Sequence, residues 1–238
     1  NLSPGASVSS RAVVGYPLGV LYGTGSKTNA DGSFDLNSNG FPQITSSPIV
    51  LGDPNPDWRG GISLNMRYKK FRLNAVLEHS QGGEFSPRTL WVLRRFGTTQ
   101  ETANRLTLDQ PLLNYKGATI PAGTTVRGNI EDFGGGPVLL DENWYRTGIG
   151  GGFGDNQAYN FSIADATWTK LRDLSLSYVL DTPVVKNIGL SDVIFTFTGR
   201  DLININNVDG IDPEINTKGV SVAQGVEYFT NPQTKGFL

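Results

Sequence analysis

Two segments in the second half of the chain alternate apolar and polar residues at a period of two. In residues 166–180, apolar side chains alternate with Asp173, Ser175 and Ser177. In residues 193–202, valine and phenylalanine alternate with threonine and arginine. Because successive side chains of a strand point to opposite faces, each segment predicts a strand with one apolar and one polar face.

A third alternating region, residues 61–79, predicts a β-hairpin. Its two halves carry Ile, Leu, Met, Tyr and Phe at every second position, and Lys69 and Lys70 form the tight connection between them. The chain thus contains three well-marked stretches of strand, which predict an all-β fold.

The hairpin and the later strands are separated by a long insertion, about residues 80–165, that is rich in glycine and aromatic residues. Within it we expect a short helix with Ser86 as N-cap, Pro87 as first helical residue and Gly97 after its end. Residues 98–101 match a capping box and predict a further helical turn.

The connections between the predicted strands alternate in length. Residues 69–70 and 181–191 are short links, whereas residues 80–165 and 203–230 are long ones. Transmembrane β-barrels have short turns at one end and long loops at the other. The alternation therefore favours a stretch of barrel wall, although a soluble β-sandwich also fits the strands themselves.

Composition limits the possible functions. The 238 residues carry 30 Gly and 13 Pro, contain no Cys, and have a formal net charge of −2. Disulfides and cysteine-ligated metals are excluded, and the charge gives no reason to expect nucleic acid. A single histidine, His79, excludes two-histidine zinc motifs, and we place it near the membrane–water boundary at a strand end.

Other candidate chemistry is weak. We interpret Asp209, Asp212 and Glu214 as an acidic turn in an exposed loop, because a calcium site needs six to eight oxygens. A hydrolase would require a pair of acidic residues such as Asp155 and Asp165. The only feature that favours this pair is that both residues lie in predicted loops. We therefore expect no enzyme activity, no metal and no cofactor.

Ligand-binding candidates lie in the long insertion. Trp91, Arg94, Trp144 and Tyr145 offer aromatic faces and a guanidinium group that suit sugar rings, and suit peptides nearly as well. Packing of the aromatic residues against other parts of the protein is an equally open interpretation. Loop arginines are more often solvated or paired than ligand-binding, and this applies to Arg88, Arg94, Arg95 and Arg146.

Several short motifs occur in a fixed order along about 220 residues. They are GYPLGVLY, GDPNPDW, QGG, WTKLRDLSLSY, GRDL, GIDPE and PQTK, which begin at residues 15, 52, 81, 168, 199, 210 and 232. In this order they resemble the C-terminal part of the SusC/RagA family of TonB-linked outer-membrane proteins of Bacteroidota.

The resemblance implies a large antiparallel transmembrane β-barrel of 22 strands with an N-terminal plug. Residues 1–238 would then form the C-terminal part of the barrel, without the plug and the TonB-contacting segment. The sequence begins at Asn1 as if cut from a longer chain. It stops at Leu238, where the family continues through a closing strand, so that strand is expected to be missing.

The resemblance also implies a function, namely TonB-dependent nutrient import across the cell outer membrane of a Gram-negative bacterium. The substrate would be an oligosaccharide or an oligopeptide, delivered by a SusD-like surface lipoprotein. Leu174, Leu176, Phe195 and Phe197 would face outer-membrane lipid, and the polar side chains between them would face the lumen. A soluble β-sandwich carbohydrate-binding module is the alternative.

Overall fold

A computed structural model describes residues 8–147, 149–150, 157–191, 193–215, 217, 224–231 and 233–238. Asn1, the glycine-rich residues 151–154, Asp155 and Pro232 lie outside the described residues. The described chain consists mainly of antiparallel strands with few helices, which confirms the predicted all-β class. None of the helices in these ranges has the length and apolar character needed to cross a membrane.

The strands vary widely in length. In chain order they are β1 (Ser9–Arg11), β2 (Val20–Gly23), β3 (Ile49–Gly52), β4 (Trp58–Tyr68), β5 (Phe71–Gln81), β6 (Glu84–Pro87), β7 (Arg105–Thr107), β8 (Leu112–Leu113), β9 (Thr119–Ile120), β10 (Thr125–Arg127), β11 (Asn129–Asp132), β12 (Pro137–Leu140), β13 (Ala164–Asp165), β14 (Trp168–Leu180), β15 (Val193–Asn206), β16 (Val226–Glu227) and β17 (Gly236–Phe237). The helices are α1 (Arg88–Arg95), α2 (Gln100–Ala103), α3 (Glu142–Thr147) and α4 (Pro183–Asn187), with a 3₁₀ turn at Tyr159–Ser162.

The chain divides into two compact units. One unit comprises residues 56–83, 165–214 and 231–238, and it contains a five-stranded antiparallel sheet in the order β17-β15-β14-β5-β4. The predicted hairpin is β4 and β5, and the two opening segments are β14 and β15. Lys69 adopts a left-handed conformation with φ of 53° in the tight turn between β4 and β5.

The two faces of this sheet differ as predicted. In register, Leu176 lies opposite Phe197 and Leu73, and Phe195 and Phe197 remain 59% and 60% exposed. On the other face, the hydroxyl groups of Ser177 and Thr196 lie 3.0 Å apart. The soluble sandwich predicts a dry core for the apolar face, and the exposure of these phenylalanines does not match that prediction.

A β-bulge interrupts the alternation at the RDL and GRDL motifs. In the strand register Arg172 is not paired with any residue of β15, and the backbone pairing resumes at Asp173 opposite Arg200. Asp201 adopts a left-handed φ of 50°, and its carboxylate lies 3.6 Å from the Arg172 guanidinium. Because Arg172 is an additional residue in β14, the side chains of Leu171 and Leu174 both lie on the apolar face although they are three positions apart.

The acidic turn is held by two cations, the buried Lys170 and the partly buried Arg172. The Lys170 ammonium donates to both carboxylate oxygens of Asp212, at 2.6 and 2.8 Å, and to Glu214 at 2.6 Å. Arg172 bridges Glu78 and Glu214. The expectation of an exposed loop is therefore wrong for Asp212, which is 9% exposed. The described residues contain no cluster of three or more acidic, His or Cys side chains suited to a metal.

The other unit comprises residues 1–55, 84–164 and 215–230, and it contains most of the long insertion. Its strands are short and form several small sheets, which the sequence pattern does not predict. Its largest cluster is mainly aromatic and aliphatic, and consists of Phe41, Val138, Leu140, Trp144, Tyr145, Ile149 and Ala158. The insertion thus folds around a core that it shares with Phe41, which precedes it in the sequence.

Helix α1 forms where the sequence predicts it, but its N-terminus is capped differently. Ser86 belongs to β6 and pairs with Val226, and Pro87 precedes the first helical residue, so the prediction of Ser86 as N-cap is wrong. The Glu227 carboxylate instead accepts hydrogen bonds from the Thr89 amide and hydroxyl, at 3.2 and 2.6 Å. A residue 138 positions away supplies the cap.

The end of α1 and the start of α2 agree more closely with the sequence. Gly97 follows the helix with φ of 69°, as the predicted stop requires. The cap of α2 is Thr99 rather than Thr98, and its hydroxyl accepts from the Thr102 amide. Glu101 does not complete a capping box but pairs with Arg94 at 2.7 Å.

Candidate ligand-binding site

The folded insertion contains a cavity of about 740 Å³. Its wall is built from the last turn of α1, from α3, and from residues of α2, β9, β10 and β12. The lining residues are Arg94, Arg95, Phe96, Gly97, Thr102, Ile120, Val126, Arg127, Gly128, Leu139, Asp141, Glu142, Asn143, Tyr145, Arg146 and Thr147. A volume of this size lies within the range of small-molecule sites, roughly 300–1,000 Å³.

Helix ends place the charged groups in this wall. Arg94 and Arg95 form the basic last turn of α1, and the turn ends there because Gly97 takes a left-handed conformation. Arg146 lies in the last turn of α3, where it forms an ion pair with Glu142 one turn earlier. The two helices α1 and α3 thus bring guanidinium groups to the same cavity.

Arg127 connects the elements around the cavity. Its Nε donates to the Thr102 carbonyl at 2.5 Å, and its Nη2 donates to the Gly97 carbonyl at 2.5 Å. A side chain at position 97 would meet the guanidinium, since a Cβ there would lie 3.1 Å from Nη2. Glycine at this position therefore serves both the helix end and the close approach of Arg127.

Tyr145 forms the buried polar part of the site. Its hydroxyl accepts from the Asn129 side-chain amide at 2.7 Å and donates to Glu101 at 3.3 Å. Burial, reinforced by the nearby Glu101 carboxylate, raises the pKa of Tyr145 to about 12. The phenol is therefore neutral at physiological pH. Glu101 in turn holds Arg94 at 2.7 Å.

The structure brings two of the four predicted ligand-binding residues together, since Arg94 and Tyr145 both line the cavity. Trp91 and Trp144 lie elsewhere, each 4% exposed within hydrophobic clusters. The ring of Trp91 stacks on Tyr159, and that of Trp144 packs against Phe41. Packing accounts for both tryptophans, and ligand contact by any of the four residues stays a prediction.

The remaining candidates occupy structural positions. His79 lies near the end of β5, where its Nδ1 is 2.7 Å from the Thr169 hydroxyl and its ring is 4.8 Å from that of Trp58. The Asp165 carboxylate accepts from Thr167 and Asn207. The other half of the hydrolase pair, Asp155, lies outside the described residues.

Sequence reasoning missed Arg127 and Asn129 as parts of the site. Both lie in short strands, β10 and β11, whose pattern carries no periodic signal. Their role depends on contacts with residues about 16 to 30 positions away in the chain. The local signals in this part of the sequence, Pro121, Gly123 and Gly128, indicate turns and not a binding site.

Comparison with known proteins supplies independent information. No family model matches the chain. It is 24% identical over 208 residues to the TonB-dependent receptor P3 of Formosa agariphila, an alignment that covers 85% of this chain and 18% of the relative. The chain thus spans less than a fifth of that relative's length.

Solved structures agree in fold. The RagAB peptide importer in a closed-closed state matches with a TM-score of 0.54 and 16% identity, covering 100% of this chain and 24% of the matched one. A second structure of the RagAB peptide transporter matches with a TM-score of 0.52 and 17% identity, covering 94% and 22%. The resemblance predicted from the ordered motifs is confirmed at this level: the chain is similar in sequence to part of a TonB-dependent receptor and in fold to part of the RagAB importer.

Proposed function

We propose that residues 1–238 are the C-terminal part of the barrel of a TonB-dependent importer in the outer membrane of a Gram-negative bacterium of the Bacteroidota. In this proposal β4, β5, β14 and β15 are part of the barrel wall. The long insertion, about residues 80–165, lies outside the membrane and contacts the cargo.

The observation that carries the proposal is the two-faced sheet. A barrel strand needs roughly 9–11 residues to cross the hydrocarbon layer, and these four strands have 11, 11, 13 and 14 residues. Their apolar side chains share one exposed face, as a lipid-facing wall requires. The most exposed members are Ile62, Met66, Tyr68, Phe195, Phe197 and Ile205.

The proposed cargo is an oligosaccharide or an oligopeptide that a SusD-like surface lipoprotein delivers. The matched RagAB structures are described as a peptide importer, which makes the peptide the closer analogy. Transport by such a protein breaks no covalent bond and uses no cofactor. Energy would come from TonB, through parts of the protein outside this chain.

An uptake experiment tests this function. Cells that express the protein should accumulate a fluorescent oligopeptide or oligosaccharide, and the accumulation should stop when tonB is deleted or the proton gradient is dissipated. A protein lacking residues 84–147 serves as a control for the role of the insertion. Uptake that is unchanged without TonB would contradict the proposal.

A further inference from the structure

We propose that the cavity in the insertion binds a carboxylate group of the cargo, so that the importer favours anionic oligomers over neutral ones. This inference rests on the proposed import function and names the chemical class of its substrate.

Positive charge dominates the cavity wall. Arg94, Arg95, Arg127 and Arg146 line it, against the two carboxylates of Asp141 and Glu142. A concave site lined mainly by one sign of charge concentrates ligands of the opposite sign. Glu101 pairs with Arg94 from outside the lining, and even with its charge included the guanidinium groups remain in excess.

Asp141 does not neutralise this excess through an ion pair. Its Oδ1 accepts from the Asn143 amide at 2.9 Å, and its Oδ2 accepts from the side chains of Asn114 and Asn143 at 2.9 and 3.0 Å. The carboxylate thus holds the start of α3, where negative charge is favoured. Its described partners are neutral amides.

Arg127 retains capacity to bind an anion. Its two described hydrogen bonds go to the neutral carbonyls of Gly97 and Thr102 and use two of its five N–H groups. A guanidinium fork matches the geometry of a carboxylate, and such charge-assisted pairs are stronger than neutral hydrogen bonds. The two carbonyls also fix the fork, which reduces the entropy that binding would cost.

The rest of the wall suits the carbon skeleton of a cargo unit. Phe96 is 73% exposed, and the half-buried Ile120 and Val126 supply further apolar surface. Trp91 and Trp144, the residues best suited to stack on a neutral sugar, are buried elsewhere. Recognition at this site therefore depends on charge together with apolar contact. Both an acidic peptide and a uronate-containing oligosaccharide provide that combination.

The test measures binding of matched acidic and neutral probes to the intact detergent-solubilised protein. One pair is a glutamate-containing oligopeptide and its glutamine counterpart, and the other is oligogalacturonate and its methyl ester. We expect the acidic member of at least one pair to bind about tenfold or more tightly, which is the effect of one charged hydrogen bond. The pair that shows the preference identifies the source of the carboxylate.

Two variants locate the effect. Arg127→Gln and Arg146→Gln should each reduce the preference for the acidic probe about tenfold and leave the neutral probe within twofold, since both guanidinium groups line the cavity. Lys116→Gln removes an equal charge from an exposed turn outside the cavity and should change neither. If Arg127→Gln disturbs folding because it holds two carbonyls, Arg146→Gln decides alone, because the Arg146 side chain is exposed apart from its ion pair with Glu142.

The inference is overturned if acidic and neutral probes bind equally, or if the cavity variants and Lys116→Gln have the same effect. These outcomes differ from failure of the proposed function. Uptake could depend on TonB with no preference for acidic cargo, in which case only this inference fails. Uptake independent of TonB would instead refute the import function, whatever the binding preference.

Discussion

The ammonium group of Lys170 lies 2.6 Å from a carboxylate oxygen of Asp212, and the two side chains are only 1% and 6% exposed. The pair joins the polar face of β14 to the GIDPE turn. Removal of one member of a buried pair leaves an uncompensated charge, which typically costs about 3–5 kcal/mol.

Lys170→Met should therefore lower the free energy of unfolding by about 3–5 kcal/mol, as measured by denaturant unfolding in detergent. The double variant Lys170→Met/Asp212→Leu should recover most of this loss, because no buried charge remains unpaired. Lys235→Met, at an exposed position, is the control. Equal stability of the single and double variants would contradict the role assigned to the pair.

The left-handed conformation of Asp201 gives a second prediction. A β-branched residue is strained at φ of 50°, so Asp201→Val should destabilise the protein by about 1–2 kcal/mol. Asp201→Asn keeps a residue that tolerates this conformation and should cost less, although it also removes the charge that lies 3.6 Å from Arg172. If both substitutions cost the same, the ion pair rather than the backbone determines the effect.

Glu227 should be necessary for the insertion unit. The carboxylate is 2% exposed and accepts hydrogen bonds from Thr89 and Thr230. Glu227→Ala should cost about 1–3 kcal/mol, because it leaves the Thr89 amide in the first turn of α1 without its acceptor. Increased protease sensitivity near residues 88–95 would report the loss, and the exposed Glu131→Ala should show no such increase.

The raised pKa of Tyr145 predicts that the free energy of unfolding decreases between pH 10 and 12. Because the folded protein holds the phenol neutral up to a pKa of about 12, the unfolded chain ionises first as pH rises from 10. The contribution of Tyr145 is complete below pH 10 and is lost between pH 10 and 12. It amounts to roughly 3 kcal/mol, since each unit of difference in pKa corresponds to about 1.4 kcal/mol.

Tyr145→Phe isolates this effect from the other titrating groups. At pH 8 the variant should be less stable by about 1 kcal/mol, since the Asn129 amide loses its acceptor. Between pH 10 and 12 it should lose less stability than the unsubstituted protein. Parallel pH curves for the two proteins would show that Tyr145 ionises normally in the folded state.

The long strands could be predicted from the sequence because their two faces lie in different environments. The pairs Leu176–Phe197 and Ser177–Thr196 follow directly from the period-two pattern. The bulge at Arg172 also left a signal, since Leu171 and Leu174 are three positions apart instead of two. The pattern could not predict that Lys170, about 40 positions earlier in the sequence, binds the carboxylates of the GIDPE turn.

The insertion was less predictable because long-range contacts determine it. The helix at residues 88–95 was expected from Pro87 and Gly97, but its cap comes from Glu227. The ligand-binding candidates, Arg94 and Tyr145 among them, were selected by residue type and position in a loop. These two criteria do not show whether a side chain is buried, as Trp91 is, or accessible. Arg127 acts through backbone carbonyls of residues that no local pattern connects to it.

The proposed import function requires that one face of the five-stranded sheet contacts lipid. The described chain offers a matched test, because Leu176 and Phe197 are paired on the apolar face, and Ser177 and Thr196 are paired on the polar face. The sequence contains no Cys, so single cysteine substitutions at these four positions can be labelled without background from this chain.

The decisive measurement is the collision rate of nitroxide labels at positions 176, 177, 196 and 197, in the intact protein reconstituted into bilayers. Labels at 176 and 197 should collide mainly with oxygen, which concentrates in lipid. Labels at 177 and 196 should be more accessible to a water-soluble nickel chelate. Equal accessibility of the two pairs to the nickel chelate would contradict the barrel-wall account.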